Sequence, residues 1–399
     1  MRDGFDPWSP TDRDACERRE QLSDIVIDGG GTIDGAGWRW WSTCTFGHKP
    51  DCVRGQTVDI GHVKGLVLRD ITVSNSPSWT VHLLESEDVL VERCRFLAPE
   101  WPHSLNTDGI DLDSVRRATI RNSYFQNGDD GVAIWAGAGP AVGAGASGIS
   151  GATHSLPPQG PTRDVLVESC EFKHSHGLTV TEFIAGGVSN VMFRNITMRS
   201  VLAGPHIKAK RGNGGVVQNI TFDGVTIQGT MREPLTRGWN GSGFALVIDM
   251  YTDCSGAQGG GGCPPDPLGP DATPVIKGVT VRDLRCVDSD LGGAAASDSS
   301  VCWGAAQLLG LPESPIQGLV LDGVDFGDPD CSLFAKNLSP AAWTNHLDPV
   351  WDIKLRSGYG RAGARVEADC FQCAFLDGAS VGPGGVSPHP NHNDACKGL

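Results

Sequence analysis

A chain of 399 residues with 54 Gly, 25 Pro and only 20% charged residues suits many short strands joined by tight turns and argues against a mainly helical protein. The formal net charge of −15, with only 32 Lys and Arg, excludes a nucleic-acid or anionic-membrane partner, because phosphate binding needs a basic stripe. No apolar run approaches the roughly 18 residues that a membrane-spanning helix requires.

The thirteen cysteines are many for a reduced compartment. The close pairs Cys44/Cys52 and Cys254/Cys263 lie in loop-like stretches, as disulfide staples do in secreted proteins, and the odd count leaves at least one thiol unpaired within the chain. Secretion is therefore expected. Residues 1 to 10 lack the apolar core of a signal peptide, so an export signal would have been removed or would lie upstream. No metal site is expected, since no second Cys-x-x-Cys answers Cys370 and Cys373. Sequons at Asn195, Asn219, Asn240 and Asn337 permit glycosylation.

In chain order, Ile25 to Trp41 reads as two short strands broken by glycine turns. Gly29-Gly30-Gly31 is a turn rather than a phosphate loop, because no Lys-Ser/Thr follows it. Eight segments then share one pattern, a short apolar strand, a polar turn and a second short strand. They start at Gly65, Asp88, Arg117, Asp164, Asn190, Asn219, Gly278 and Gly318. The first six starts are 23, 29, 47, 26 and 29 residues apart, so one step is lengthened by an insertion, from Ala136 to Pro161.

A recurrence of that length with period-2 alternation and no helical periodicity predicts an all-β fold, a β-solenoid. Each coil adds a strand to several parallel sheets, and equal offsets in successive coils lie one above another, about 4.8 Å apart. Leucine-rich repeats share the length but not the motif. Loops are expected from Gly137 to Gly151, mostly Gly, Ala and Ser, from Gly256 to Pro274, rich in Gly and Pro, and from Ala294 to Ser300. The repeat fades beyond Phe326. Residues 1–399 read as a single domain with coils over about 24–330, and 331–399, carrying Cys331, Cys370, Cys373 and Cys396, as a cap over the open end.

Offsets convert this geometry into a site. Asp129 and His176 each lie 12 residues after their repeat starts and should stack in adjacent coils, with Asp130 beside them. Asp108 lies 20 residues after its start, with the loop from Pro99 to Ser104 taking up the excess. His206 and Lys208 differ by two positions, so both side chains can leave one strand in the same direction. Three carboxylates, two imidazoles and an ammonium would converge. Mutual repulsion pushes at least one carboxyl pKa upward, giving a proton donor beside ionised bases, the division glycoside hydrolysis uses.

The blocks Asn106-Thr107-Asp108-Gly109-Ile110-Asp111, Gly128-Asp129-Asp130-Gly131, His176-Gly177-Leu178 and Ile207-Lys208 resemble, in order, the four signature blocks of the polygalacturonase family, glycoside hydrolase family 28. Supporting matches run from Gly31 through Asn75 to Trp79 and on to Ile220, so that the resemblance covers roughly residues 24 to 250.

The resemblance implies a right-handed parallel β-helix that cleaves α-1,4-galacturonosyl bonds by single displacement with inversion. By the same resemblance Asp129 would be the general acid, Asp108 and Asp130 would hold and deprotonate the attacking water, and His176 would help keep the proton on the acid. Asn106 would orient Asp108, while His206, Lys208 and, more loosely, Tyr251 would bind substrate. The implied partner is an acidic plant-type or algal cell-wall polysaccharide, acted on by a monomer with no cofactor.

Three departures stand out. Ser175 replaces a family Gly, Gly131 replaces the usual Cys and removes a disulfide partner, and His206 replaces an Arg. Arginine grips a carboxylate by two permanent bonds, whereas histidine is mostly neutral at pH 7 and grips by one. The stretches around Glu182 and around Lys210-Arg211 resemble the exo-acting, bacterial or plant-like branch, and those two cations could supply charge where Arg is lost. Two rival readings share the scaffold. A uronan lyase or epimerase would want Ca²⁺-binding carboxylates and a basic residue near the sugar C5. A cell-wall-binding solenoid without turnover is disfavoured by the presence of all three aspartates.

Overall fold

The computed structural model describes residues 21–41, 54–99, 103–137, 160–231, 243–252, 269–287, 302 and 304–326, together with the backbone of 333–336. Within them every strand pairing is parallel, in a 14-stranded and a 9-stranded sheet wound as a parallel β-helix. Among the described residues, helix is confined to one turn at Trp38–Trp41 and a 3-10 turn at Pro270–Ala272. The three expected loops lie largely outside the described residues, as do the cysteine pairs 44/52, 254/263 and 370/373 and the expected cap over 331–399, apart from the backbone of 333–336.

The repeats build the larger sheet, and the backbone shows why they recur. All eight repeat starts have positive φ, from 55° at Asn219 to 79° at Gly65. So do the residues five places later, Asp70, Arg93, Asn122, Ser169, Asn195, Gly224, Asp283 and Gly323. Asn, Asp and Gly tolerate this left-handed geometry best, which accounts for their prevalence there. The charged and polar groups at these bends also join coil to coil. Asn219 Nδ2 donates to Asn190 Oδ1 at 2.8 Å and Asn190 Nδ2 donates to Asp164 Oδ1 at 3.0 Å, while Arg93 and Arg117 reach back to Asp70 and Asp88, each at 2.7 Å.

Between the bends, alternation decides what is inside. Leu66 and Leu68, Val89 and Val91, Ala118 and Ile120, and Val165 and Val167 are all buried, while Val67, Leu90, Thr119 and Leu166 between them face outward. Equal offsets produce columns of like residues. Phe96, Phe125 and Phe172 stack with centroids 4.9 and 4.6 Å apart, and Phe193 lies over Phe222 at 4.9 Å. Each such fully buried ring contributes about 1.5–3 kcal/mol by leaving water.

The 9-stranded sheet runs in the order Val58–Gly61, Val81–Leu84, Ile110–Asp113, Asp130–Trp135, Gly177–Val180, His206–Lys208, Phe244–Asp249, Gly304–Leu309 and Leu333–Lys336. It begins or ends next to every block that the sequence singled out. Beyond it, Cys286 and Cys302 form a disulfide, whereas Cys94 and Cys170 are buried free thiols.

Candidate active site

Successive coils bring the expected residues together at the N-terminal ends of the middle strands of the smaller sheet. Two turns are tied side by side. Thr107 donates its hydroxyl to Ser104 O at 2.8 Å and accepts from the Gly128 N–H at 2.9 Å. Asn127 Nδ2 donates to the carbonyls of Asp129 and Asp130, at 3.0 and 2.8 Å. Glycine is required here for room. A Cβ on Gly128 would lie 2.2 Å from Ser104 O, one on Gly109 2.4 Å from Gly131 O, and one on Gly131 2.3 Å from Phe172 Cδ1.

The strand register shifts between Asp130 and Val132, so that Asp130 pairs with Gly177 and Val132 with Leu178. Such a bulge re-aims the side chain beside it. Asp130 thereby reaches across the sheet, with Oδ1 accepting from Thr179 Oγ1 at 2.5 Å and Oδ2 facing Lys208 Nζ at 3.2 Å. Burial pushes the Asp130 carboxyl up, but Lys208, His206 and His176 outweigh it and hold it far below the usual carboxylate range.

Asp129 is bounded by donors. Its Oδ2 accepts from Asn106 N–H at 3.1 Å and Asn106 Nδ2 at 3.3 Å, its Oδ1 accepts from the Asp130 N–H at 2.9 Å, and His176 Nδ1 lies 2.9 Å from the same Oδ1. The His176 N–H also donates to Asp129 O at 2.7 Å, the coil stacking that the common offset of 12 led one to expect. Burial pulls the His176 imidazole down, but Asp129 and then Asp130 bring it above the ordinary value. Asp108 has the opposite bias to Asp130. Burial, reinforced by Asp129, Asp111 and Asp130, pushes its carboxyl well above the usual range, and its buried Oδ1 has no protein hydrogen-bond partner.

Several placements differ from the sequence expectation. Asn106, expected to orient Asp108, bonds Asp129 instead, because its left-handed backbone, φ 58°, turns both its N–H and its amide toward the next coil. His206, expected to meet substrate, is 0% exposed. Its Nε2 lies 2.8 Å from Thr179 Oγ1 and 3.4 Å from Asp130 Oδ1, behind the carboxylate rather than in front of it. Lys210 and Arg211 already face carboxylates, Lys210 with Glu182 at 4.0 Å and Arg211 with Glu313 at 2.5 Å, so neither substitutes simply for a lost arginine. Tyr251 lies one coil beyond Lys208, 6.0 Å from the Arg211 guanidinium.

Two contributors were missed. Arg54 Nη1 donates to Leu105 O at 2.6 Å and Arg54 Nη2 to Asn106 Oδ1 at 2.5 Å, and its charge is felt by Asp129 and Asp108. It precedes the repeats, so no offset pointed to it. Asp111 stands in the same block as Asp108, and no repeat offset singles it out. It is wholly buried, accepts from Trp135 Nε1 at 2.8 Å, and is likewise pushed well above the usual carboxylate range, by burial first. Asp129, Asp130 and His176 also place three ligand-type atoms within 4.8 Å of one another, a spacing open to a cation. Lys208 and His176 already supply positive charge to both carboxylates.

Residues 9–236, more than half of the chain, match the profile of glycosyl hydrolases family 28. The chain belongs to that family. Among its relatives, a probable polygalacturonase of Vitis vinifera is 28% identical over 309 residues, 76% of this chain and 52% of that protein. An exopolygalacturonase of Platanus acerifolia is 28% identical over 197 residues, 45% of this chain and 50% of that protein. The chain thus spans about half the length of these relatives. Among solved structures, a hyperthermoactive exopolygalacturonase from Thermotoga maritima superposes with a TM-score of 0.57 at 19% identity, over 79% of this chain and 67% of that one. A polygalacturonase from Erwinia carotovora gives 0.53 at 19% identity, over 76% and 68%. At that identity the likeness concerns the fold, the right-handed parallel β-helix.

Proposed function

We propose that this protein hydrolyses α-1,4-galacturonosyl bonds of a pectin-type polysaccharide by an inverting acid/base mechanism. The observation that carries the reading is the opposed environment of three carboxylates from adjacent coils. Asp108 is biased toward its protonated form, Asp130 is held ionised beside Lys208, and Asp129 faces His176 across 2.9 Å. Inversion needs an acid on one side of the scissile bond and a base that activates water on the other.

In this scheme Asp129 passes a proton to the leaving oxygen, drawing on the proton shared with His176. The attacking water lies between Asp130 and Asp108 and fills the partnerless Asp108 oxygen; as its oxygen bonds the anomeric carbon and the bond to the leaving oxygen breaks, its proton passes to the ionised Asp130 carboxylate. Asn106 and Arg54 fix Asp129 from the preceding coils. Lys208, with a side chain 15% exposed, retains access to a sugar carboxylate while pairing Asp130. The family membership and the names of the relatives support the substrate class, and the exopolygalacturonase among them supports attack from chain ends. The Cys286–Cys302 disulfide supports an oxidising, extracellular setting.

Reducing ends should appear on polygalacturonate, with single uronate units as the first products. Asp129→Asn should lower their rate of release by about 10²–10⁴-fold with an unchanged melting curve. Normal turnover by that variant would remove Asp129 from the mechanism. Appearance of an unsaturated, ultraviolet-absorbing product would point to a lyase instead.

A further inference from the structure

We infer that His206, acting through the hydroxyl of Thr179, is a positioning residue for Asp130 rather than a substrate contact. The inference rests on the reading of Asp130 as part of the hydrolytic machinery. Thr179 and His206 are directly opposed across neighbouring parallel strands, so their side chains leave the same face of the sheet next to one another. The bulge at Asp130 brings the carboxylate to the end of that pair.

Counting protons orders the chain. An ionised Asp130 can only accept, so the Thr179 hydroxyl hydrogen points to Oδ1 across 2.5 Å. Oγ1 is left with lone pairs toward His206, and at 2.8 Å the hydrogen between them must come from Nε2. The imidazole is therefore held as an Nε2 donor whose hydrogen bond polarises the threonine hydroxyl toward the carboxylate. Gly204 O, 3.3 Å from Nδ1, can only accept, so the ring makes both contacts at once when both nitrogens carry hydrogen, and a neutral ring keeps the shorter one, through Nε2.

His206 is wholly buried, and Thr179 is too. Neither can touch a polysaccharide on the surface. What the relay does is fix the direction of Oδ1 while Lys208 holds Oδ2, leaving Asp130 one orientation toward the attacking water. A carboxylate tethered at one oxygen only would swing, and a displacement of about 1 Å at a reacting group can cost a hundredfold in rate.

The test uses the full chain and three variants. Thr179→Val and His206→Leu are each expected to lower kcat on polygalacturonate by about 10–100-fold with little change in KM. The double variant should be no slower than the slower single one. His206→Gln, which keeps a donor near the Nε2 position, should restore most of the rate. A rise in KM with kcat unchanged, or fully multiplicative losses in the double variant, would overturn the relay.

A second readout needs no turnover. In ¹⁵N-histidine-labelled protein the His206 signal should report an Nε2-protonated ring, and Thr179→Val should move it. A ring bare at Nε2 ends the proposal. Should the unaltered protein fail to cleave any galacturonan, the hydrolase reading falls, while the nitrogen signal still decides the relay. Should His206→Leu not fold, Thr179→Val preserves side-chain shape and carries both readouts.

Discussion

His176 Nδ1 and Asp129 Oδ1 lie 2.9 Å apart in adjacent coils, at a distance that leaves one proton to be shared between them. The two side chains are only 13% and 14% exposed, and Asp129 brings the imidazole above its ordinary 6.5 against the pull of burial. In the proposed mechanism that shared proton is the one delivered to the leaving group. The alkaline limb of the kcat/KM profile should therefore lie above pH 6.5. His176→Ala should displace that limb and lower kcat by about 10-fold or more. A profile with an unmoved limb would separate His176 from the acid.

Asp108 yields a prediction about stability. Its folded pKa stands above the ordinary 3.8, so its contribution is complete below that pH and is lost as pH rises through the folded value. At neutral pH the buried carboxyl is a cost. Asp108→Asn should raise the melting temperature at pH 7, and the gain should shrink toward pH 4, even as turnover collapses. Melting curves at the two pH values decide it, and a lower melting temperature at pH 7 would contradict the buried-charge account.

Asp130, paired with Lys208, behaves in the reverse sense. Asp130 is depressed below 3.8, so its contribution is present above that value and is lost as pH falls through the folded pKa. Lys208→Met removes a cation from a pair whose side chains are 15% and 5% exposed, and should cost about 3–5 kcal/mol, the usual penalty for leaving one buried charge behind. Denaturant titration at pH 7 measures this. The variant should also lose less stability than the parent between pH 4 and pH 2.

Gly131 is held to glycine by space, since its Cβ would lie 2.3 Å from Phe172 Cδ1. Gly131→Ala should destabilise by about 1–3 kcal/mol, the range for overpacking a filled core. It should also slow turnover, because Asp130 is its neighbour. Phe172→Leu in the same chain should recover part of the loss. Additive effects in this double-mutant cycle would show that the two positions do not meet.

The fold was legible because its signal was repeated. Apolar alternation after Gly65 recurs after Asp88, Arg117, Asp164, Asn190 and Asn219, and the positive φ at every start explains why Gly, Asn and Asp dominate those places. The convergence of Asp108, Asp129, Asp130, His176 and Lys208 followed from offsets within this frame. What offsets could not reveal was depth. His206 and Lys208 leave one strand on the same side, yet one is wholly buried and the other retains access to solvent. The bulge at Asp130, which turns that carboxylate toward both, likewise has no mark in the sequence other than a glycine. Arg54 lay beyond reach for a second reason, standing 52 residues from Asn106 and outside the repeats. The Cys286–Cys302 disulfide joins the end of a repeat strand to a cysteine 16 residues on, across a stretch of sequence rich in Gly and Ala.

The constant five-residue interval between left-handed bends also governs where this chain can grow or shrink. Between repeats, the 47-residue step from Arg117 to Asp164 coexists with full pairing of the strands on either side, so length there is free to drift. Inside an interval such as Asp88 to Arg93, one lost residue would exchange inward and outward faces and put Leu90 where Val91 now meets the core. Insertions and deletions are therefore confined to the connections between repeats. The scaffold can acquire new substrate contacts by changes in loop length while its acids stay in place.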